Sequence, residues 1–228
     1  MVVKPVLSAV EASRLVHEGD RLMVGGFMDC GAPHSLLAAL NAAGPKNLTL
    51  IANDTAVHDF KSGRITGSAH LVQSRQFKKI IASHIGTNQE TQRQMNAGET
   101  EVELVPQGTL AEQIRAGGAG LGGFLTPTGL ATEASVGKKV LHVEGKSYLL
   151  EPALKADVAL IKAQKADRAG NLVFHGTARN FNPLMATAAH VVIAEVEEIV
   201  EIGTIDPDQV HTPSIFVDYL VLSDRLEW

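Results

Sequence analysis

Arg21-Leu22-Met23-Val24-Gly25-Gly26, then Pro33 to Ala43 with Gly44 behind it, then Leu48-Thr49-Leu50-Ile51-Ala52-Asn53-Asp54: this stretch decides the fold. The first block is a short apolar run closed by paired glycines, which reads as a buried strand. In the second, Leu36, Leu37 and Leu40 recur at helical spacing, and Gly44 stops the helix. The third is another apolar strand, ending in Asn53-Asp54. Strand, helix and strand in that order require two parallel strands joined by a right-handed crossover.

The same alternation extends in both directions. Upstream, Ser8-Ala9-Val10-Glu11 is a capping box whose helix is expected to run toward Gly19. Downstream, Lys79 to Ala82 and Val102 to Val105 read as strands, Thr87-Asn88-Gln89-Glu90 as a second capping box, and Thr109 to Arg115 as a helix. Val140 to Val143 and Ser147 to Leu150 flank Glu144-Gly145-Lys146 as a hairpin. Val158 to Ile161, Asn171 to Phe174 and His190 to Ala194 are further strands, Pro183 to Ala189 a helix, and Ile215 to Val217 and Leu220 to Leu222 the closing apolar runs. Continuous apolar strands belong in a sheet covered on both faces. No linker, low-complexity run or repeat interrupts the pattern. The expected architecture is one α/β domain over residues 1–228, a mainly parallel Rossmann-like sheet flanked by helices.

Composition narrows the function classes. The 228 residues are 45 % hydrophobic and 20 % charged, as in an ordinary soluble globule. The net charge of -5 carries no basic stripe, which argues against nucleic acid as a partner. No apolar run approaches the ~20 residues of a membrane helix. The single cysteine, Cys30, rules out an internal disulfide and fits a reducing compartment, so a cytoplasmic location is expected.

The segment from Gly117-Gly118-Ala119-Gly120 through Gly122-Gly123 to Thr126-Pro127-Thr128-Gly129 is the densest glycine cluster. Linkers are polar, and this segment carries Leu121, Phe124 and Leu125, so it reads as a shaped loop against a ligand or partner chain. Gly118, Gly120 and Gly123 satisfy G-x-G-x-x-G, but the residues before them are helical and Pro127 follows too soon for a new helix. A dinucleotide site needs the opposite context.

Ligands of open α/β sheets sit beyond the carboxyl ends of the strands. Three unusual segments fall there: Gly25-Gly26-Phe27-Met28-Asp29-Cys30-Gly31, Asn53-Asp54 and Pro106-Gln107-Gly108. Cys30 has no base beside it in sequence and reads as inert packing rather than a nucleophile. The nine histidines show no metal spacing, and His58, His70, His84 and His211 read as surface or hydrogen-bonded residues. Glu195, Glu197 and Glu198 follow a strand and read as a solvated turn rather than a catalytic cluster. Gln107 is open to two readings: a neutral amide donor for a developing oxyanion, or a capping residue of the helix that follows.

The order of motifs resembles family I coenzyme A transferases of the α-subunit type. The resemblance rests on Glu18-Gly19 with Leu22 to Phe27, Gly31 and Pro33; on Pro106-Gln107-Gly108-Thr109-Leu110-Ala111-Glu112; and on Gly117 to Gly120 with Thr126 to Gly129. It continues through Lys165-Ala166-Asp167, Ala178-Arg179-Asn180-Phe181-Asn182-Pro183 and Val196 to Val200. Glu18 departs from the signature, which prefers Asp or Asn there.

That resemblance implies the CoA-transferase type of α/β fold and transfer of CoA between a short-chain acyl-CoA and a carboxylate. It also implies a nucleophilic glutamate in a Ser-Glu-Asn-Gly motif, which this sequence lacks, so a β subunit is expected to supply it. Gln107 would then stabilise the oxyanion, Gly25 to Gly31 would border the CoA or acyl group, and Asn53 with Gly117 to Gly120 would lie at the interface between subunits, beside the active site. No metal or permanently bound cofactor is implied; the CoA thioester is a substrate. A succinyl-CoA:3-oxoacid transferase is the neighbouring enzymatic reading, and a non-catalytic acyl-CoA- or sugar-phosphate-binding sensor is the alternative of another class.

Overall fold

The computed structural model describes residues 2–224. The chain begins with β1 (Val6–Leu7), α1 (Ala9–Ser13), β2 (Arg21–Val24), α2 (His34–Ala43) and β3 (Leu48–Asp54). A small hairpin, β4 (His58–Asp59) and β5 (Arg64–Ile65), and the short helix α3 (Ala69–Gln73) lead into β6 (Phe77–His84), α4 (Gln89–Asn96) and β7 (Glu101–Leu104). Helix α5 (Gln107–Gly118) opens a three-stranded excursion of β8 (Gly123–Thr126), β9 (Val140–Val143) and β10 (Lys146–Pro152). The chain returns through β11 (Ala156–Asp167), β12 (Leu172–Val173), α6 (Asn182–Thr187), β13 (Ala189–Val200) and β14 (Tyr219–Leu222).

The main sheet has the order β1-β14-β13-β11-β2-β3-β6-β7, all parallel, with β12 antiparallel against β11. Alternate residues of each strand point to opposite faces, so both faces must be covered. Leu22 and Val24 pack with Leu36, Leu37 and Leu40 of α2 on one face. Met23, Ile51 and Ile81 pack with Leu110 and Ile114 of α5 and Met185 of α6 on the other. The expected β-α-β unit is present at its expected residues, and Gly44 caps α2 at φ 71° with its N–H on Leu40 O. The hairpin between β9 and β10 turns through Glu144 (φ 50°) and Gly145 (φ 76°), the left-handed pair that a two-residue connection needs.

Five local expectations change. Ser8 and Glu11 do form the capping box, but the helix tightens after Ser13 to i→i+3 bonds, Arg14 N to Glu11 O and Leu15 N to Ala12 O. The second box is instead a single cap: Asn88, not Thr87, accepts the Thr91 N–H, because the Thr87 hydroxyl donates to Ala56 O. Ile215 and Phe216 lie in a 3-10 turn, Ser214–Phe216, rather than a strand. Glu195, Glu197 and Glu198 lie inside β13, where Lys162 of β11 stands opposite Glu195.

The fifth change concerns the glycine cluster. Gly117 and Gly118 are the last turn of α5, not a loop. A Cβ on Gly117 would overlap Leu154 O, and one on Gly118 would overlap the Thr187 hydroxyl. The missing side chains let the helix end press against the start of β11 and the end of α6. Gly120 is different: it has φ +72° and open space around it. Gly117→Ala should therefore lower stability by about 1–3 kcal/mol through overpacking. Gly120→Asn, which tolerates the left-handed region, should cost well under about 1 kcal/mol. Thermal unfolding of the two variants checks the contrast.

Candidate active site

A parallel sheet gathers every strand's carboxyl end on one edge, and here the strand order reverses between β2 and β11. The loop after β2 begins with Gly25 and Gly26, then folds Phe27 to Cys30 into a tight turn: Phe27 N donates to Cys30 O at 3.0 Å and Cys30 N to Phe27 O at 2.9 Å. Its central residues, Met28 (φ 46°) and Asp29 (φ 74°), are both left-handed without being glycine. Such residues cost on the order of 1–2 kcal/mol each and persist only where neighbours impose them. The result holds Phe27 (41 % exposed) and Met28 (38 % exposed) out at the edge of the sheet.

The neighbouring strand ends impose it. Asp54, buried at the end of β3, accepts Met28 N–H on Oδ2 and Ala56 N–H on Oδ1, each at 2.8 Å. Asn53 is 2 % exposed. Its Nδ2 donates to Asp54 Oδ2 at 2.8 Å, and Ser83 Oγ of β6 donates toward its carbonyl and Oδ1 at 2.8 and 3.0 Å. Asn53 Oδ1 in turn accepts Gln107 Nε2 at 2.8 Å. One chain of hydrogen bonds thus runs from the Gln107 amide through Asn53 and Asp54 to the backbone of the strained turn.

Gln107 is exposed and is the first residue of α5, directly after Pro106. Its bond to Asn53 fixes the amide orientation and leaves the second Nε2–H for another acceptor. The first-turn N–H groups of the helix have no intrahelical partner and point the same way. A neutral amide beside a helix N-terminus suits charge that develops on an oxygen. The cavity beneath the turn, lined by Val24, Gly26, Asp29, Ala52, Asp54 and Ser68, has a volume of only about 20 Å³. That is below the ~300–1,000 Å³ of small-molecule sites, so a ligand the size of an acyl-CoA would lie over the turn rather than under it.

The structure therefore brings Gly25 to Gly31, Asn53 and Gln107 to one place. It does not bring Gly117, Gly118, Ala119 and Gly120 there within this chain. They lie at the far end of α5, roughly 16 Å along its axis from Gln107. There the glycines border a cleft with Lys155, Thr187 and His190 at the amino-terminal edge of β11 and β13. Cys30 Sγ lies 3.2 Å from the Thr177 hydroxyl and is exposed. Among the described residues no three His, Cys, Asp or Glu side chains gather as metal ligands would.

Other residues carry more than their sequence context signals. His58 is buried, edge-on to Phe60 at 4.9 Å, while His211 Nδ1 accepts Phe174 N–H at 3.0 Å. His34, unmarked in the sequence, sits at the start of α2 with Nε2 3.7 Å from Asp29 Oδ1. Burial pushes its pKa down, with Asp29 and Glu195 opposing. Asn182 is likewise unmarked as an individual residue, and only the spacing of its motif could have flagged it. Its Nδ2 donates to Gly31 O at 3.1 Å and Ala178 O at 2.9 Å, and its Oδ1 accepts Lys162 N–H at 3.0 Å.

A family model described as coenzyme A transferase matches residues 6–223. The chain belongs to the coenzyme A transferase family. It is 49 % identical over 224 residues to the A-type subunit of a probable succinyl-CoA:3-ketoacid coenzyme A transferase from Bacillus subtilis, covering 98 % of this chain and 92 % of that one. It is 50 % identical over 220 residues to the alpha subunit of the Escherichia coli K12 acetate CoA-transferase, covering 96 % and 97 %. These relatives place it in the family's α-subunit type. A solved acyl-CoA transferase from E. coli O157:H7 superposes with a TM-score of 0.86 at 23 % identity, over 99 % of this chain and 48 % of that one. This chain thus spans about half the length of that transferase, and the likeness shows the shared fold.

The imidazoles under the turn give this member of the family a defined acid response. His34 and His70 both have pKa values lowered below the ordinary 6.5, chiefly by burial. The unfolded chain therefore takes up these protons first as pH falls. The stability they contribute is complete above pH 6.5 and is lost on acidification below it. The melting temperature should decline from about pH 7 to about pH 5, and His34→Gln should make that decline shallower. Thermal melts across the range test this, and an unchanged slope would refute it.

Proposed function

We propose that this chain is the α half of a two-subunit transferase that moves CoA between a short-chain acyl-CoA and a carboxylate. The observation that carries the reading is the Gln107 amide, held by Asn53 on the open carboxyl edge of the sheet. Family membership and the α-subunit type of the half-identical relatives support it. The nucleophile is a glutamate of the β subunit, in the Ser-Glu-Asn-Gly motif that the family resemblance implies and this sequence lacks.

In this scheme the glutamate oxygen attacks the thioester carbonyl, whose π electrons collapse onto oxygen. The oxyanion re-forms the carbonyl and expels CoA as a thiolate, leaving an acyl-glutamyl anhydride. The thiolate then attacks the glutamyl carbonyl and releases the first carboxylate, which leaves a glutamyl-CoA thioester. An acceptor carboxylate runs these two steps in reverse and departs as its own CoA ester. Gln107 donates N–H to the oxyanion, charge that appears only at the transition state. Gly25 to Gly31 borders the acyl-CoA, with Phe27 and Met28 offering apolar contact. Asn53, buried behind Gln107, orients its amide; the segment Gly117 to Gly120, at the other end of α5, is assigned to the interface with the β subunit. No resident cofactor takes part, and the cytoplasm suits the reaction and the lone cysteine.

Relatives of near-equal identity are named for succinyl-CoA and for acetate, so donor choice is settled by assay rather than by overall likeness. Acetoacetyl-, butyryl- and succinyl-CoA should be compared against acetate and acetoacetate as acceptors. The chain alone should give no turnover above buffer, and mixing it with the glutamate-bearing partner should restore it. Robust transfer by the isolated chain would overturn the scheme.

Gln107→Ala should lower kcat by about 10²–10³, the usual loss for one oxyanion donor, with little change in KM or melting temperature. Gln107→Glu should be at least as damaging, because its carboxylate repels both nucleophile and oxyanion. A helix-capping glutamine gives the opposite pattern, reduced melting temperature with near-normal kcat. Kinetics and melts on the same reconstituted variants separate the two.

A further inference from the structure

The turn at Phe27 to Cys30 is held from both sides by polar groups that are themselves buried. On one side Asp54 receives Met28 N–H. On the other, Asn182 is fully buried at the start of α6 and donates to Gly31 O. Asn180 Nδ2 adds a bond to Cys30 O at 2.9 Å. The second side also dictates a residue: a Cβ on Gly25 would overlap Asn182 Oδ1. Gly25 is absent from the positive-φ residues, so its glycine is needed for space, not for backbone freedom. The motif Ala178 to Pro183 thus acquires a physical purpose.

We propose that Asp54 and Asn182 are positioning residues that clamp the Phe27–Gly31 loop from opposite sides, at Met28 and at Gly31, and so hold Phe27 and Met28 ready for the acyl-CoA. The proposal rests on the transferase reading for what the turn binds, but not for the clamp itself. The two sides are not equivalent. Asn182 touches the loop, Ala178 and the backbone of β11, with no bond to Asn53 or Gln107. Asp54 holds the loop and also anchors Asn53, which orients Gln107. Pre-set loops bind more tightly because less ordering remains to be done on association. Releasing Asn182 should therefore weaken acyl-CoA binding alone, whereas releasing Asp54 should weaken binding and slow the chemistry.

Two measurements test this. First, amide exchange on the full chain, without any activity, should show Met28 and its neighbours exchanging at least about tenfold faster in Asp54→Asn and in Asn182→Ala, while the sheet strands stay protected. Second, in the reconstituted enzyme Asn182→Ala should raise the KM for acyl-CoA about tenfold at near-normal kcat. Asp54→Asn should raise KM and also lower kcat about tenfold or more.

A steric cycle guards against misfolding. Gly25→Ala alone should disrupt the turn, and Gly25→Ala combined with Asn182→Ala should be no worse than Asn182→Ala. Additive damage in that cycle, or unchanged exchange at Met28, overturns the clamp. If the wild-type pair of subunits transfers no CoA, the functional reading fails while the exchange data and the cycle still judge the clamp.

Discussion

The carboxylate of Glu195 ties helix α2 to the strands on the far side of the β2–β11 pairing. Glu195 is fully buried in β13, yet its carboxylate reaches across the strand-order reversal to the start of α2. Leu36 N–H donates to it at 3.1 Å and Ser35 Oγ at 3.3 Å. Lys162 Nζ of β11 lies at 3.1 Å, and Ser223 Oγ, just beyond β14, donates at 2.8 Å. Stripping water from a carboxylate costs several kcal/mol, and three neutral donors plus a cation offset it here. Helix α2 has no side-chain cap of its own behind Pro33, so Glu195 also supplies negative charge to its N-terminus. A helix from the β2–β3 side is thereby fixed to strands of the β11–β14 side by a single side chain.

That fixation explains why the carboxyl edge can hold strained backbone. The turn at Met28-Asp29 departs from β2, α2 follows closely behind it, and α2 is anchored through Glu195. Both ends of the loop are therefore immobilised before Asp54 and the asparagines act on its middle. Most of the loop's polar partners are neutral amides or backbone groups. They cost less to bury than charges.

The parts of this arrangement legible in the sequence are those set by neighbours in the chain. The β-α-β unit, the Gly44 cap and the Glu144-Gly145 hairpin follow from spacing and from glycine at left-handed positions. Grouping Gly25 to Gly31, Asn53 and Gln107 at one edge follows from counting strand ends. Long-range pairings are not legible. Glu195 resembles a solvated turn because acidic residues after an apolar run commonly are, and its partner Lys162 lies 33 residues away. The one available signal is complementary: Lys162 directly follows the apolar run Val158 to Ile161, and Glu195 directly follows the run Val191 to Ala194. Gly117 and Gly118 look like loop because glycine weakens helices in general. Their need for closeness depends on Leu154 and Thr187, which no local pattern reveals.

The edge pairing of β1 with β14 carries a consequence for how the chain is made. Val6 and Leu7 find their sheet partners at Leu220 and Val221, and Lys4 N donates to Arg168 O. On the ribosome, β1 must wait for β14 to emerge before its backbone groups are satisfied. Strands β2, β3, β6 and β7 have partners early and can assemble as a partial sheet, with the β2 side left open until β11 arrives. During that interval an apolar strand edge faces its crowded surroundings, a recognised route to aggregation. The β2–β11 pairing that closes this edge is thus a late event in the life of the chain, set by the order of synthesis and not by local strand strength.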